Sequence, residues 1–239
     1  MLVKNGLTVN PFKQFGTRPT VAVAAASVMS DRYCIASQGK KQPYVSDAYL
    51  LSCCKQCGSG CQGGSSFAAL GFWQSGIPTG GMYGMQDCCQ PYPFNCAHCP
   101  SATTPKCSKE CIPSYRQSFN SSLTYGHDAY KILGEENAQR EIFENGPVVG
   151  RMVVFEDLYI YVDGNNDARN RVYEHEWGKA MNQHAVRIIG WGEEDGTPYW
   201  LVANSWGENT QDEGTFKIIR GRNECGIEGY MAAVKPKLE

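Results

Sequence analysis

The sequence predicts an α+β fold with a helical, disulfide-rich front half and a β-rich back half. All of its twelve cysteines except Cys34 and Cys225 lie between Cys53 and Cys111, among many Gly, Pro and Ser residues. Such a stretch is typical of a loop-rich region held by disulfides. After about Ser114, apolar strand-like segments alternate with Gly-containing turns. The 239 residues suffice to bury a sizeable core, as one large domain or as two lobes.

Three helices are predicted in the front half. Thr20 opens a segment, residues 20–32, that is apolar on every face, which predicts a buried helix with Thr20 as its N-cap. We expect a second helix over residues 46–52 and a third over residues 65–73. Residues 1–19 are polar and turn-rich and show no clear period.

The back half reads mainly as strands. Residues 136–144 are predicted as a helix that stops before Gly146-Pro147, and residues 148–155 as an apolar strand. Further strands are expected over residues 185–190, 199–203, 215–219 and 230–234.

The composition excludes several classes of function. With 22 basic and 24 acidic residues, the net charge of −2 draws neither nucleic acid nor an anionic membrane. No apolar run approaches the roughly 18 residues of a membrane span. The twelve cysteines indicate an oxidising compartment, yet residues 1–30 show no signal peptide. We therefore expect that the sequence does not begin where a complete precursor begins.

Three motifs carry the chemical signal. His184 stands at the mouth of an apolar strand that ends in Gly-Trp-Gly192, Asn204-Ser-Trp206 ends a second strand, and Cys61-Gln precedes Gly63-Gly64. Each motif alone has an ordinary structural explanation, but together and in this order they resemble the papain family of cysteine peptidases. The resemblance implies that His184 is the general base, that Asn204 orients it, and that Trp206 shields their hydrogen bond from water.

The cysteine-rich region resembles the cathepsin B-like branch of that family. The motifs are Leu50-Leu-Ser-Cys53-Cys54, Gln90-Pro-Tyr92, Glu144-Asn-Gly-Pro147 and Cys225-Gly-Ile-Glu228. The resemblance implies a papain-like two-lobe fold with a helical lobe, a β-barrel-like lobe and an active site in the groove between them. We accordingly divide the chain into a non-matching segment 1–19, a helical disulfide-rich lobe 20–112 and a β-rich lobe 113–239, with an equivalent of the occluding loop over 88–111.

The nucleophile of the resembled family is absent. In that family a cysteine begins the buried helix, where the helix dipole and the neighbouring imidazolium lower the thiol pKa. Counting back from Ser30-Asp31-Arg32 places Thr20 at this position, and no cysteine precedes Cys34. Because a hydroxyl is a much weaker acid than a thiol, we expect no papain-type turnover from this sequence.

The resemblance also identifies substrate-binding positions. Gly63 and Gly64 are small enough to let an extended substrate backbone approach. Tyr230 replaces the acidic residue of the second subsite, which predicts an apolar or aromatic preference there. Of the paired histidines of the occluding loop only His98 is present, so exopeptidase action is not expected.

The resemblance implies a set of disulfides and two cysteines without partners. Cys34 and Cys61 have family partners in the segment that carries no cysteine here, Cys88 is an extra cysteine, and Cys225 is expected as a free buried thiol. The implied pairs are Cys53–Cys107, Cys54–Cys57, Cys89–Cys111 and Cys96–Cys99.

Three functional hypotheses remain open. The first is an impaired cathepsin B-like protein that keeps a peptide-binding groove, and the second is an active cysteine-type endopeptidase whose nucleophile segment is missing from this version of the sequence. The third is a zinc-binding module built on Cys54-x-x-Cys57 and Cys96-x-x-Cys99. Separately, Cys61 has lost its family partner, so a displaced thiol acting near His184 is a further possibility for the chain as it stands. The favoured hypothesis implies a monomer with peptide or protein ligands, no cofactor and no metal, and the resemblance implies a lysosomal or secreted location.

Overall fold

A computed structural model describes residues 20–94, 103–163, 171–207 and 212–238. Within these ranges no helix is long and apolar enough to cross a bilayer. The helices are α1 (Thr20–Ala36), α2 (Asp47–Cys53), α3 (Ser66–Phe72), α4 (Glu135–Asn145) and α5 (Glu156–Asp163). The strands are β1 (Ile77–Pro78), β2 (Gly80–Gly81), β3 (Gln90–Pro91), β4 (Leu123–Ile132), β5 (Val148–Phe155), β6 (Ala180–Glu194), β7 (Thr197–Ala203), β8 (Thr215–Ile219) and β9 (Met231–Lys237).

The back half of the chain forms most of a seven-stranded sheet in the order β1-β4-β9-β5-β6-β7-β8. All of its neighbouring strands pair antiparallel. Within the described ranges β1 and β8 stand at opposite edges and do not pair, so the sheet is open. The sequence therefore predicts the helix-and-sheet fold correctly, and the β-barrel-like lobe is an open sheet rather than a closed barrel.

Two apolar cores flank the junction between helix α1 and the sheet. One core gathers around α1, α2 and α3, and the other lies among the sheet, α4 and α5. Ala25, Ala26 and Val28 of α1 are fully buried. Small side chains let neighbouring elements approach α1 closely on all sides, which explains why this helix shows no polar face.

A buried arginine of α1 ties the helix to the back half. The side chain of Arg32 is only 2% exposed. Its guanidinium donates to the carbonyl oxygens of Pro147 at 2.7 Å and Gly146 at 3.1 Å, and to the Glu141 carboxylate at 2.8 Å. It also donates to the Tyr130 hydroxyl at 3.2 Å. A buried cation is tolerated only when its donors are satisfied in this way.

A second buried ion pair lies one residue earlier on α1. Arg187 of β6 donates to the Asp31 carboxylate at 2.7 Å, and both side chains are largely buried. Burial raises the pKa of Asp31, while the charge and hydrogen bond of Arg187 act in the opposite direction. The two pairs together fix the position of α1 against the sheet.

Two predicted strands are confirmed with the same first and last residues. The strand over 148–155 matches β5, and the strand over 215–219 matches β8. Ser46 and Ser65 act as N-caps of α2 and α3, since their hydroxyls accept from the backbone N–H three residues on. These two helices accordingly begin one residue later than predicted.

Besides the two-residue strands β1, β2 and β3, two longer elements were not predicted. Helix α5 is rich in aromatic and β-branched residues, which favour strands. Its acidic start, Glu156-Asp157, is the local signal that favours a helix N-terminus. Strand β4 contains Gly126 and a bulge between His127 and Tyr130, so its period is broken.

The disulfides of the described residues agree with the pairs that the resemblance implies. Cys53–Cys107, Cys54–Cys57 and Cys89–Cys111 are bonded. The fourth pair, Cys96–Cys99, lies outside the described residues, and the described ranges hold four cysteines as thiols: Cys34, Cys61, Cys88 and Cys225, the last of them partly rather than fully buried.

The disulfides bear directly on the zinc hypothesis. The bond between Cys54 and Cys57 leaves these residues no thiolate to bind a metal ion, which removes half of the ligand set that the hypothesis needs. Elsewhere in the described part of the chain, no group of three or more His, Cys, Asp or Glu side chains is arranged to hold a metal.

We predict that the substitution Arg32→Met lowers the free energy of unfolding by about 3 kcal/mol, because it leaves the Glu141 carboxylate without its cationic partner and the carbonyl oxygens of Gly146 and Pro147 without this donor. Urea denaturation followed by tryptophan fluorescence measures the change. The matched control is Arg140→Met on exposed α4, where Arg140 contacts the Asn137 side chain and a change below about 0.5 kcal/mol is expected. Equal effects of the two substitutions contradict the prediction.

Candidate active site

The predicted histidine and asparagine meet at the sheet. His184 lies in β6 opposite Met152 of β5, and Asn204 follows the end of β7. The Nε2 atom of His184 lies 2.8 Å from Oδ1 of Asn204, an oxygen that also accepts from the Ser205 N–H at 2.8 Å. Because this oxygen is an acceptor, Nε2 carries the proton, and in the neutral ring Nδ1 keeps the free lone pair.

Aromatic rings cover this pair. The ring of Trp206 stacks on that of His184 with centroids 5.0 Å apart, and the ring of Tyr159 from α5 stacks on the tryptophan, also at 5.0 Å. His184 is only 2% exposed. The arrangement has the geometry that a shielding role for Trp206 requires. Sequence reasoning missed Tyr159, because it belongs to the unpredicted helix α5.

Burial controls the charge of His184. Removal of the ring from water lowers its pKa from 6.5 to about 4, and the hydrogen bond to Asn204 raises it only in part. The imidazole is therefore neutral at physiological pH.

Thr20 occupies the first residue of α1, beside the strand that carries His184. Its hydroxyl accepts a hydrogen bond from the backbone N–H of Ala185 at 3.1 Å. The expectation that Thr20 caps α1 is thus wrong, because the side chain is engaged by β6 and not by the N–H groups of its own helix. In the described part of the chain, no hydrogen bond joins the Thr20 hydroxyl to the His184 ring.

A cavity of about 440 Å³ opens beside these residues. Its walls come from the start of α1, the segment 62–66, the strands β5 and β6, and Tyr230. Thr20, His184, Gly63, Gly64 and Tyr230 all line it. The structure thus brings together five of the residues singled out in the sequence, whereas His98 lies outside the described residues.

Gly63 and Gly64 line the cavity, and the reason why each position needs a glycine is different. A Cβ atom on Gly64 would lie 1.9 Å from the carbonyl oxygen of Cys57, so the fold itself excludes a side chain there. A Cβ on Gly63 would meet nothing within 4 Å, although its φ of +100° favours glycine. Gly63 therefore leaves room on the cavity side, as a bound backbone would need.

Tyr230 precedes β9 and is covered by cations. The guanidinium of Arg151 lies 5.1 Å from the centre of its ring, and the ammonium of Lys131 lies 5.8 Å away. Arg151 itself lines the cavity. Sequence reasoning missed this arginine, although a charged residue within the apolar run of β5 is an available signal.

Comparisons with known proteins agree with this geometry. A family model described as papain family cysteine protease matches residues 6–235, which includes part of the segment predicted as non-matching, 1–19. The gut-specific cysteine proteinase of Caenorhabditis elegans is 44% identical over 223 residues, covering 91% of this chain and 65% of the relative. Cathepsin B-like cysteine proteinase 3 of the same organism is 46% identical over 225 residues, covering 91% of this chain and 59% of the relative.

A solved structure shares the fold. The procathepsin B S9 of Trypanosoma congolense matches with a TM-score of 0.81 and 39% sequence identity, covering 96% of this chain and 73% of that one. The chain spans 59–65% of the length of these two curated relatives. The assembled histidine and asparagine, the papain-like fold and the match over nearly the whole sequence show that this chain belongs to the papain family of cysteine proteases, in its cathepsin B-like branch.

Proposed function

We propose that this chain is a cathepsin B-like protein that binds peptides in its cavity but does not turn them over by the thiol mechanism. The observation that carries the proposal is the threonine at the start of α1, whose hydroxyl is bonded to the Ala185 N–H beside His184. Cysteine peptidases need a thiolate at the attacking position. Thr20 supplies a hydroxyl group instead.

The local chemistry cannot activate that hydroxyl. The N-terminus of α1 favours negative charge, but a hydroxyl is far less acidic than a thiol and stays protonated near neutral pH. His184, with its pKa lowered to about 4, is a weak base. Threonine nucleophiles of other enzymes use their own N-terminal amine as the base, and Thr20 lies within the chain. The loss of a nucleophile typically reduces turnover by about six orders of magnitude.

Peptide binding rests on the shape of the cavity. Its volume of about 440 Å³ is in the range of small-ligand sites, and Gly63 leaves space on its wall. The family acts on proteins and peptides, so an extended peptide is the natural occupant. We further propose an oxidising location, lysosomal or secreted, since three disulfides are formed in the described residues. A monomeric state remains a prediction.

One observation favours a second candidate, an active cysteine peptidase in which residues 1–20 are replaced by a different segment. Cys34 and Cys61 are both thiols in the described structure, and residues 1–19 contain no cysteine that could pair with them. The assembled His184 and Asn204 also fit an active enzyme. Sequencing the messenger across its first codons distinguishes the two, because this candidate requires a segment with a Cys-Gly-Ser-Cys-Trp signature before Val21.

We predict that the protein neither hydrolyses a dipeptide reporter nor reacts at Thr20 with an epoxide that alkylates papain-type thiols, whereas Thr20→Cys gains labelling. A thiol at the start of α1 meets the helix dipole and His184, which together favour the thiolate. Peptide mapping by mass spectrometry after incubation locates the labelling, since Cys34, Cys61, Cys88 and Cys225 are also thiols. Thr20→Ser is the matched control and should stay unlabelled at this position.

Labelling or turnover that depends on His184 in the unsubstituted protein contradicts the proposal. The variant Cys61→Ser then shows whether the displaced thiol is responsible, since loss of the activity in this variant identifies Cys61 as the nucleophile. Unchanged activity in Cys61→Ser dismisses that role.

We also predict a pH dependence of stability from His184. Its pKa is about 4 in the folded state and 6.5 when it is exposed, so between these values the unfolded chain binds more protons. The free energy of unfolding should therefore fall as the pH drops from 6.5 to 4, by about 3 kcal/mol from this group. Denaturation at several pH values measures this loss, which should disappear in His184→Gln.

The matched control for the pH experiment is His127→Gln, because His127 is about half exposed. This variant should keep the pH dependence of the unsubstituted protein. Superimposable pH profiles for the unsubstituted protein and His184→Gln show that the buried imidazole carries no such penalty, and the prediction then fails.

A further inference from the structure

We infer that the Tyr230 end of the cavity binds an acidic side chain of a peptide, and that Arg151 determines this preference. The inference rests on the proposed peptide-binding cavity and specifies which peptides enter it. It replaces the apolar or aromatic preference expected from Tyr230 alone.

The strand register places Arg151 between the candidate catalytic residues and Tyr230. Arg151 of β5 pairs with Ala185 of β6, the residue next to His184. On its other side, the backbone N–H of Arg151 donates to the carbonyl oxygen of Tyr230 at 3.2 Å. The three positions therefore lie side by side across the sheet.

The spacing between strands gives the distance that a bound peptide must cover between Ala185 and Tyr230. Neighbouring strands lie about 5 Å apart, so Tyr230 stands about 10 Å from Ala185 across the sheet. An extended peptide advances about 3.3 Å per residue. A peptide running from Ala185 toward Tyr230 thus reaches Tyr230, and the Arg151 guanidinium that lies over its ring, after about three residues.

Arg151 is exposed within an otherwise apolar strand. The residues on both sides of it, Gly150 and Met152, are buried, whereas Arg151 is exposed at the cavity. Its guanidinium lies over the Tyr230 ring at 5.1 Å, and no carboxylate pairs with it within the described ranges. Stacking uses the face of the guanidinium and leaves its N–H edge available, which is the edge that binds a carboxylate through two hydrogen bonds.

A second cation lies at the same end. The ammonium of Lys131 sits 5.8 Å from the Tyr230 ring and 5.7 Å from that of Phe67, and within the described ranges no carboxylate pairs with it. Two positive groups, the Arg151 guanidinium and the Lys131 ammonium, thus lie close to the Tyr230 ring.

No negative charge offsets these cations along the cavity. Among the described residues that line it, none is Asp, Glu or Lys, and the buried His184 is neutral at physiological pH. Arg151 therefore carries the formal charge of the lining. A peptide carboxylate is attracted to it, and a basic side chain at the same position is repelled.

The test uses the full chain and a set of amidated, acetylated hexapeptides that are identical except for Glu, Gln or Lys at one scanned position. Fluorescence anisotropy measures their dissociation constants at low and at moderate salt. At the position that reaches Arg151, we expect the Glu peptide to bind about fivefold more tightly than its isosteric Gln partner, and the Lys peptide to bind more weakly than Gln. Added salt should reduce the difference.

The substitution Arg151→Gln should remove the difference between the dissociation constants of the Glu and Gln peptides. The ratio of the two constants is compared, and not the absolute affinity of either peptide. Arg140→Gln, an exposed arginine of α4 that does not line the cavity, is the matched control and should preserve the preference. A Gln peptide with a free terminal carboxylate separates the two sources of a carboxylate.

Four outcomes overturn the inference. Equal affinity of the Glu and Gln peptides at every position, or a preference that persists in Arg151→Gln, shows that Arg151 does not set the specificity. Tighter binding of the free-acid Gln peptide than of the amidated Glu peptide shows a site for chain termini instead. Absence of binding by all peptides contradicts the proposed cavity itself, and this result is distinct from equal binding.

Discussion

The buried guanidinium of Arg32 is the interaction on which the site geometry depends. It joins α1 to the turn at Gly146-Pro147 and to Glu141, while its other donors reach Tyr130 and the carbonyl oxygen of Val234. A buried charge without such partners costs several kcal/mol, so this set of bonds selects one placement of the helix. That placement sets Thr20 against β6 and thereby fixes one wall of the cavity. The buried Arg32 guanidinium thus positions Thr20 opposite the other residues that line the cavity.

The charge state of His184 depends on whether a thiolate lies beside it. In a papain-type pair, thiolate and imidazolium stabilise each other, and each charge offsets the cost of burying the other. With a hydroxyl at position 20, no neighbouring negative charge offsets the burial of His184. The hydrogen bond to Asn204 offsets it only in part, and desolvation lowers the pKa of His184 to about 4. The same fold therefore holds a neutral centre. Because His184 is neutral, Arg151 carries the formal charge of the cavity lining, at the end of the cavity where Tyr230 lies.

The sequence predicted those helices and strands whose formation depends on residues close together in the chain. The β-branched run of β5 and the serine caps of α2 and α3 could be found because each rests on neighbouring residues. Helix α5 escaped prediction because its aromatic and β-branched residues favour a strand, and packing overrides that preference. The meeting of Arg151 and Tyr230 depends on pairing between strands about 80 residues apart in sequence, which no local pattern encodes. The histidine and asparagine were identified through motifs, whereas their neighbours were not.

The intact His184–Asn204 pair is not a measure of activity, because stability alone is sufficient reason to keep it. A buried imidazole needs a hydrogen-bond partner, and Asn204 supplies one while its oxygen also satisfies the Ser205 N–H. The rings of Trp206 and Tyr159 add packing on the same cluster. Substituting any of these groups leaves a buried polar atom or a void, whatever happens at position 20. The His184–Asn204 pair is therefore compatible with the proposed binding protein as well as with an active enzyme, and under that proposal the residue at the start of α1 distinguishes the two.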